Sequence, residues 1–143
     1  MQHYLILRVI SKFLIPPIML FAIYVQMHGD YGPGGGFQAG IIVAITLILY
    51  ALVFGTEALL TAIPAQTIRA FAACGLLLYA GTGVVSLLLD KNYLDYSALY
   101  PDPVEAQHLG ILLVELGVGL TVAFSMLAIF VAFTSHAPED EEL

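Results

Sequence analysis

An all-α, polytopic membrane protein with four transmembrane helices is the fold class that three features of this sequence predict. Of its 143 residues, 60% are hydrophobic and only 10% are charged, against about 25% charged in ordinary soluble domains. The mean hydropathy is +0.94. The apolar residues also gather into four runs, each near the roughly 20 residues that a helix needs to cross about 30 Å of hydrocarbon. The length fits a single membrane domain over residues 1–143.

The first helix is expected at about 4–27. Its uncharged part, Phe13 to Met27, covers only about 22 Å. Arg8 and Lys12 precede it one turn apart and can snorkel to the interface. Pro16 and Pro17 remove backbone donors, which predicts a kink or a late start. No small-residue cleavage site follows, so this run is read as retained and not as a signal peptide. The second helix is expected at about 37–63, ended by Pro64. The third, about 68–89, follows a short turn, and the fourth, about 106–133, follows a polar stretch holding Pro101 and Pro103. Residues 134–143 read as a solvated acidic tail, with Glu139, Asp140, Glu141 and Glu142 in one block.

Orientation follows the few cations. Arg8, Lys12 and Arg69 fall at one end of such a bundle and only Lys91 at the other. The positive-inside rule then puts both termini in the cytoplasm. The 90–105 loop, with Tyr93, Tyr96 and Tyr100 among four acids, lies outside and is either an interfacial segment or a cation-attracting mouth.

Several function classes drop out. Four Lys and Arg against a net charge of −7 give nucleic acid no electrostatic hold. The lone Cys74 excludes an intrachain disulfide and reads as a small packing residue. No nucleophile elbow, zinc-protease motif or phosphate-binding loop is present. The chain is therefore not expected to be an enzyme or to hold a cofactor or resident metal.

Two features can carry chemistry. Between Met27 and Phe37 the chain places five glycines, with Gly34, Gly35 and Gly36 in a row after Pro33. In a membrane, irregular backbone survives only where it is buried in protein or lines a wet cavity. The segment is thus either a structured turn or part of an ion path. His28 and Asp30 lie in it, and Gln38 just beyond it could bond loop carbonyls, meet an ion or start the helix. The second feature is Glu115, flanked by leucine and valine in the fourth run. A carboxylate there must be paired, protonated or facing water. His108 precedes it by two turns on the same stripe, which Gly119 and Val122 continue. The pair can pass protons or cations, or Glu115 can simply bond a neighbouring helix. Glu57, near the other end of the second run, has Thr56 or Arg69 as candidate neighbours.

Small residues mark close-packed seams. Gly36, Gly40 and Ala44 begin the second helix at four-residue spacing. Gly117, Thr121 and Ser125 run along the fourth, and Gly75 and Gly83 share a face of the third.

The stretch from His28 to Gly40, with Pro33-Gly34-Gly35-Gly36-Phe37-Gln38 and Gly40 at its heart, resembles the B subunit of Mrp-type (Mnh) multisubunit cation/proton antiporters. The resemblance extends to the Arg8–Pro16 entry, to the Tyr50–Gly55 stretch and to the number of helices. It implies a multi-pass subunit of a bacterial or archaeal plasma-membrane complex of about six or seven different subunits. That complex exchanges Na⁺ for H⁺, and the small subunits serve assembly and the sodium path. The same domain also resembles a structural membrane subunit of complex-I-related, redox-driven hydrogenases. On the antiporter reading, Glu115, His108, Glu57, Asp30 and His28 are the ion-path candidates, with a passing Na⁺ near Glu115.

Overall fold

The computed structural model describes residues 2–29 and 31–135. Helix α1 runs Gln2–His28, α2 Gly36–Phe54, α3 Thr56–Ala62, α4 Ala65–Leu88 and α5 Pro103–Ser135. A single 3-10 turn, Tyr96–Ala98, interrupts the loop before α5. Four of these helices, all but α3, are long and apolar enough to span a membrane. Lys12 Nζ lies 5.7 Å from the Phe54 ring, so α1 and α2 run antiparallel. Gln2 and Ser135 consequently sit at the same end of the bundle as the α2–α4 connection. The end of the acidic tail, residues 136–143, lies outside the described residues.

Local chemistry sets the boundaries. Proline rings at positions 16 and 17 lie on the exposed side of α1, and the helix continues through them from Gln2; a late start is not what the chain does. The expected second helix of 37–63 is in fact two. Gly55 adopts φ 102°, ψ 147° between Phe54 and Thr56, a conformation open to glycine and strained for other residues. It ends α2 and frees α3 as a separate two-turn helix. Asp102 starts α5 three residues earlier than the apolar pattern alone predicts. Its carboxylate accepts from the N–H groups of Val104 at 2.8 Å and Glu105 at 3.2 Å, with Pro103 at the first helical position.

Helix α5 is the hub. It packs along α4 on one side and along α2 on the other, while α1 packs mainly on α2. The α4 seam is built on Gly75, Gly117 and Thr121: a methyl at Gly75 would lie 2.7 Å from the Gly117 carbonyl oxygen. Phe71 and Phe124 stack beside it, with centroids 4.9 Å apart. The α2 seam is built on Gly36 and Gly40 against Glu115 and Gly119. Toward the other end, Leu59 of α3 closes a small apolar core with Ala51, Ile68 and Leu127. The buried hydroxyls of α2 and α4 are satisfied within their own helices. Thr46 donates to the Ile42 carbonyl at 2.6 Å, Thr82 to that of Leu78 at 2.8 Å and Ser86 to that of Thr82 at 3.2 Å. That solution needs no water.

The 90–105 loop is fastened by two of its tyrosines. Tyr93 fills the notch at Gly83 of α4, and Tyr96 the notch at Gly110 of α5. Burial raises the Tyr96 phenol above its ordinary range, and Tyr79 adds to the effect. Asp95 accepts from the Ser97 hydroxyl at 2.6 Å and its N–H at 3.1 Å, which holds its carboxyl below the usual range. Cys74 departs from expectation: it lies exposed on the outside of α4 because its neighbour Gly75 takes the inward position.

These seams make unequal demands on their glycines. A side chain at Gly40 would meet the Gly119 carbonyl oxygen at 2.6 Å and Val122 at 3.0 Å, whereas Gly81 has nothing within 4 Å. Gly40→Val is expected to lower the thermal midpoint of the detergent-purified protein, at a cost of about 1–3 kcal/mol from overpacking. Gly81→Ala should leave it unchanged or raise it, by up to about 1 kcal/mol from helix propensity.

Candidate functional site

The glycine turn and Glu115, distant in sequence, meet in space. The α1–α2 hairpin turns between His28 and Gly36, and Gly36 opens α2 against the backbone of Glu115, where a Cβ would overlap the Glu115 carbonyl. The Glu115 carboxylate then lies on the turn. A methyl at Gly35 would stand 2.8 Å from Oε1, and one at Gly29 would stand 2.6 Å from the same oxygen. Only residues without Cβ atoms leave it that place.

The chemistry of the place suits a carboxylate. Gly35 is the N-cap of α2 and offers no side-chain cap. The first turn of a helix carries N–H groups that the helix itself cannot satisfy, and about half a positive charge. Glu115 brings a negative charge to that end from a neighbouring helix. A carboxylate within the α5 span is thereby kept out of plain hydrocarbon.

Helix α5 also rises past the turn. Glu115 stands twelve residues after Pro103, so about 18 Å of α5 extends beyond the level of Gly36. The turn is the floor of a recess, and two clefts open from it. One, of about 350 Å³, is lined by Gln26, Met27, Tyr31, His108, Leu112 and Glu115. The other, of about 360 Å³, is lined by Gly34, Gly35, Phe37, Gln38, Val114 and Glu115. Glu115 is common to both.

Aromatic rings edge the first cleft. Tyr24 stacks on His28 with centroids 5.1 Å apart. His28 approaches Tyr31 at 6.4 Å, and Tyr31 stacks on His108 at 6.1 Å. The row carries His28 of α1 across the turn to His108 of α5. Of the residues singled out from sequence, the fold thus gathers Glu115, His108, His28, Gln38 and the glycines. Pro33 and Phe37 are exposed, and Phe37 contributes to the wall of the second cleft. Asp30 lies outside the described residues. Glu57 is not part of this site. It is exposed in the first turn of α3, at the far end of α2 and about 28 Å from the turn. Among the described residues no group of three or more His, Cys, Asp or Glu is placed to hold a metal.

Sequence reasoning passed over Gln26 and Tyr31. Gln26 carries a signal that could have found it: a lone amide in the apolar stretch Ile18–Met27 is costly unless it has a task. Tyr31 carries no such signal, since a tyrosine beside a turn is ordinary.

Residues 6–128 match the model of a family described as a domain related to the MnhB subunit of Na⁺/H⁺ antiporter. The chain is 30% identical over 136 residues to a Staphylococcus haemolyticus protein named "Putative antiporter subunit mnhB2", covering 93% of this chain and 96% of that protein. It is likewise 30% identical over 135 residues to a protein of the same name from Staphylococcus aureus strain Newman, covering 87% and 95%.

The seat of Glu115 can be tested without touching Glu115. Gly35 has φ 163°, extended backbone that any residue adopts, so Gly35→Ala acts through the carboxylate alone. It is expected to destabilise the protein by about 1–3 kcal/mol. Glu115→Asp, which withdraws the carboxylate by one methylene, should recover part of that loss in the double variant. A thermal-denaturation double-mutant cycle measures the coupling, and strict additivity would show that the two groups do not meet.

Proposed function

This chain belongs to the family of domains related to the MnhB subunit of Na⁺/H⁺ antiporters, and from that membership we propose that it is a membrane subunit of a multisubunit Na⁺/H⁺ antiporter in which Glu115 handles charge. The observation that carries the reading is the position of Glu115 as the common wall of two clefts on either side of the glycine turn. A carboxylate reachable from both can take a proton or a monovalent cation on one side and release it on the other. The α2 N-terminus offsets its charge when it is empty. His108, exposed in the first cleft and stacked on Tyr31, is the next group in line.

The clefts are open at the side of the bundle, so neighbouring subunits complete the walls. The glycine seams fix the floor against which they assemble, and path and assembly are two uses of one structure. The reading places the protein in the plasma membrane of a bacterium or archaeon, multi-pass, with both termini in the cytoplasm. Arg8, Lys12 and Arg69 then lie at the cytoplasmic end and the recess opens outward. Transport moves Na⁺ against H⁺ through the assembled complex, with no chemistry on a cofactor.

Glu115→Gln keeps the shape and removes the titrating proton. In everted vesicles carrying the whole complex, Na⁺-dependent proton exchange is expected to fall by about a hundredfold or more, with subunit assembly intact on native gels. Full exchange would remove Glu115 from the path. Loss of assembly instead would assign the residue to the scaffold.

A further inference from the structure

The first cleft ends on a residue that neither the family match nor the reading of Glu115 uses. Gln26 projects from α1 toward α5. Its Nε2 is buried and has no hydrogen-bond partner among the described residues. Its Oε1 lies 2.6 Å from the point where a side chain on Gly119 would begin, and the Gly36 carbonyl oxygen lies 3.1 Å from the same point. The amide is therefore wedged into the junction of α1, α2 and α5, in a notch that exists because Gly119 lacks a Cβ. It cannot easily swing out to find a partner elsewhere.

A buried donor left unpaired gives up its hydration for nothing, and in native proteins such atoms are accounted for by ordered water or an ion. Two spaces meet at Gln26. One is the cleft shared with Tyr31, His108 and Glu115. The other is an open apolar groove of about 310 Å³, lined by Ala22, Ile23, Val43, Leu120 and Phe124. A buried water needs two to four polar partners, and apart from Gln26 itself only the cleft supplies them. An N–H donor also selects an oxygen lone pair and repels a bare cation, so the ligand is water and not Na⁺.

We propose that Gln26 holds a water molecule at the inner end of the cleft and positions it to relay protons to and from Glu115. Nε2 donates to the water oxygen, which leaves both water hydrogens free to donate. One of them passes to the carboxylate as the oxygen takes another from the next water toward His108, and that water is resupplied in turn from the open mouth of the cleft. The water ends neutral, and one proton has moved. Gln26 itself gains and loses nothing; it is a positioning residue, and it marks the boundary between the polar cleft and the apolar groove. The inference rests on the reading of Glu115 given above.

The test uses the assembled complex in lipid nanodiscs, imaged at a resolution that shows waters, beside exchange assays on Gln26→Leu and Gln26→Glu. Density is expected at about 2.9 Å from Gln26 Nε2. The leucine variant should slow exchange by about tenfold, the effect of losing one hydrogen bond to a charged or proton-passing group, and should displace the pH profile. The glutamate variant, which keeps a polar end, should restore much of the rate. A partner-subunit side chain occupying the position overturns the hydration site. Native rate and pH profile in Gln26→Leu overturn the relay. If the leucine variant does not assemble, the wild-type map still decides the site, and a glutamate variant as slow as an inactive control overturns the relay. An inactive Glu115→Gln beside a fully active Gln26→Leu removes the Gln26 step alone. A fully active Glu115→Gln removes the function on which it rests.

Discussion

The approach of the Glu115 backbone to Gly36 is the constraint on which the α1–α2 side of the bundle depends. At that distance neither α2 nor the turn can carry a Cβ, which explains why glycine recurs at 29, 35 and 36. Glycine in a helix costs up to about 1 kcal/mol relative to alanine, so the turn is poor as local structure. What it gains is contact: backbone against backbone in a solvent that offers no hydrophobic drive between helices. The same closeness sets the carboxylate on the α2 N-terminus, where its charge is offset. Packing and electrostatics are one arrangement here.

Helix α5 can serve two partners because its seams are offset. Glu115 and Gly119 face α2, while Gly117 and Thr121 face α4. A shift of two residues turns a helix by about 200°, so the seams lie on opposite faces. Each repeats at four residues, which keeps small groups in register along the contact. The α4 seam and the tyrosines at Gly83 and Gly110 make the α4–α5 hairpin a rigid wall. The α1–α2 hairpin is laid against it, and the site forms where the shorter hairpin stops.

Much of this was legible in the sequence. Four spans follow from the lengths of the apolar runs, and the seams from glycine spacing. The stripe of His108, Glu115, Gly119 and Val122 follows from helical periodicity; Glu115, Gly119 and Val122 do face α2, and His108 lies beyond it against Tyr31 of the turn. What could not be read was that the stripe ends on the glycine turn. Contact between residues 35 and 115 is a fact of tertiary packing, and nothing in either segment names the other. Gly55 was missed for a different reason. A glycine inside an apolar run is tolerated in membrane helices, so only its positive φ shows that it divides the run. Glu57 attracted notice because a carboxylate near a span is unusual, yet its position in α3 leaves it exposed and remote from the turn.

The unequal heights of the two hairpins explain why a charge can stand at this depth. From Lys12, level with Phe54, to His28 is about 24 Å, and α2 is about 28 Å long. Helix α1 runs on below Lys12 to Gln2, so the step between the hairpins lies at the turn end, where about 18 Å of α5 continues beyond Gly36. The turn thus lies below the top of α5. Irregular backbone at that depth must be covered by protein or face water. Helix α5 covers it on one side, and within this chain the remaining sides open into the two clefts. The step between the hairpins thus creates a polar recess beside α5 whose open sides must meet water or protein and not lipid.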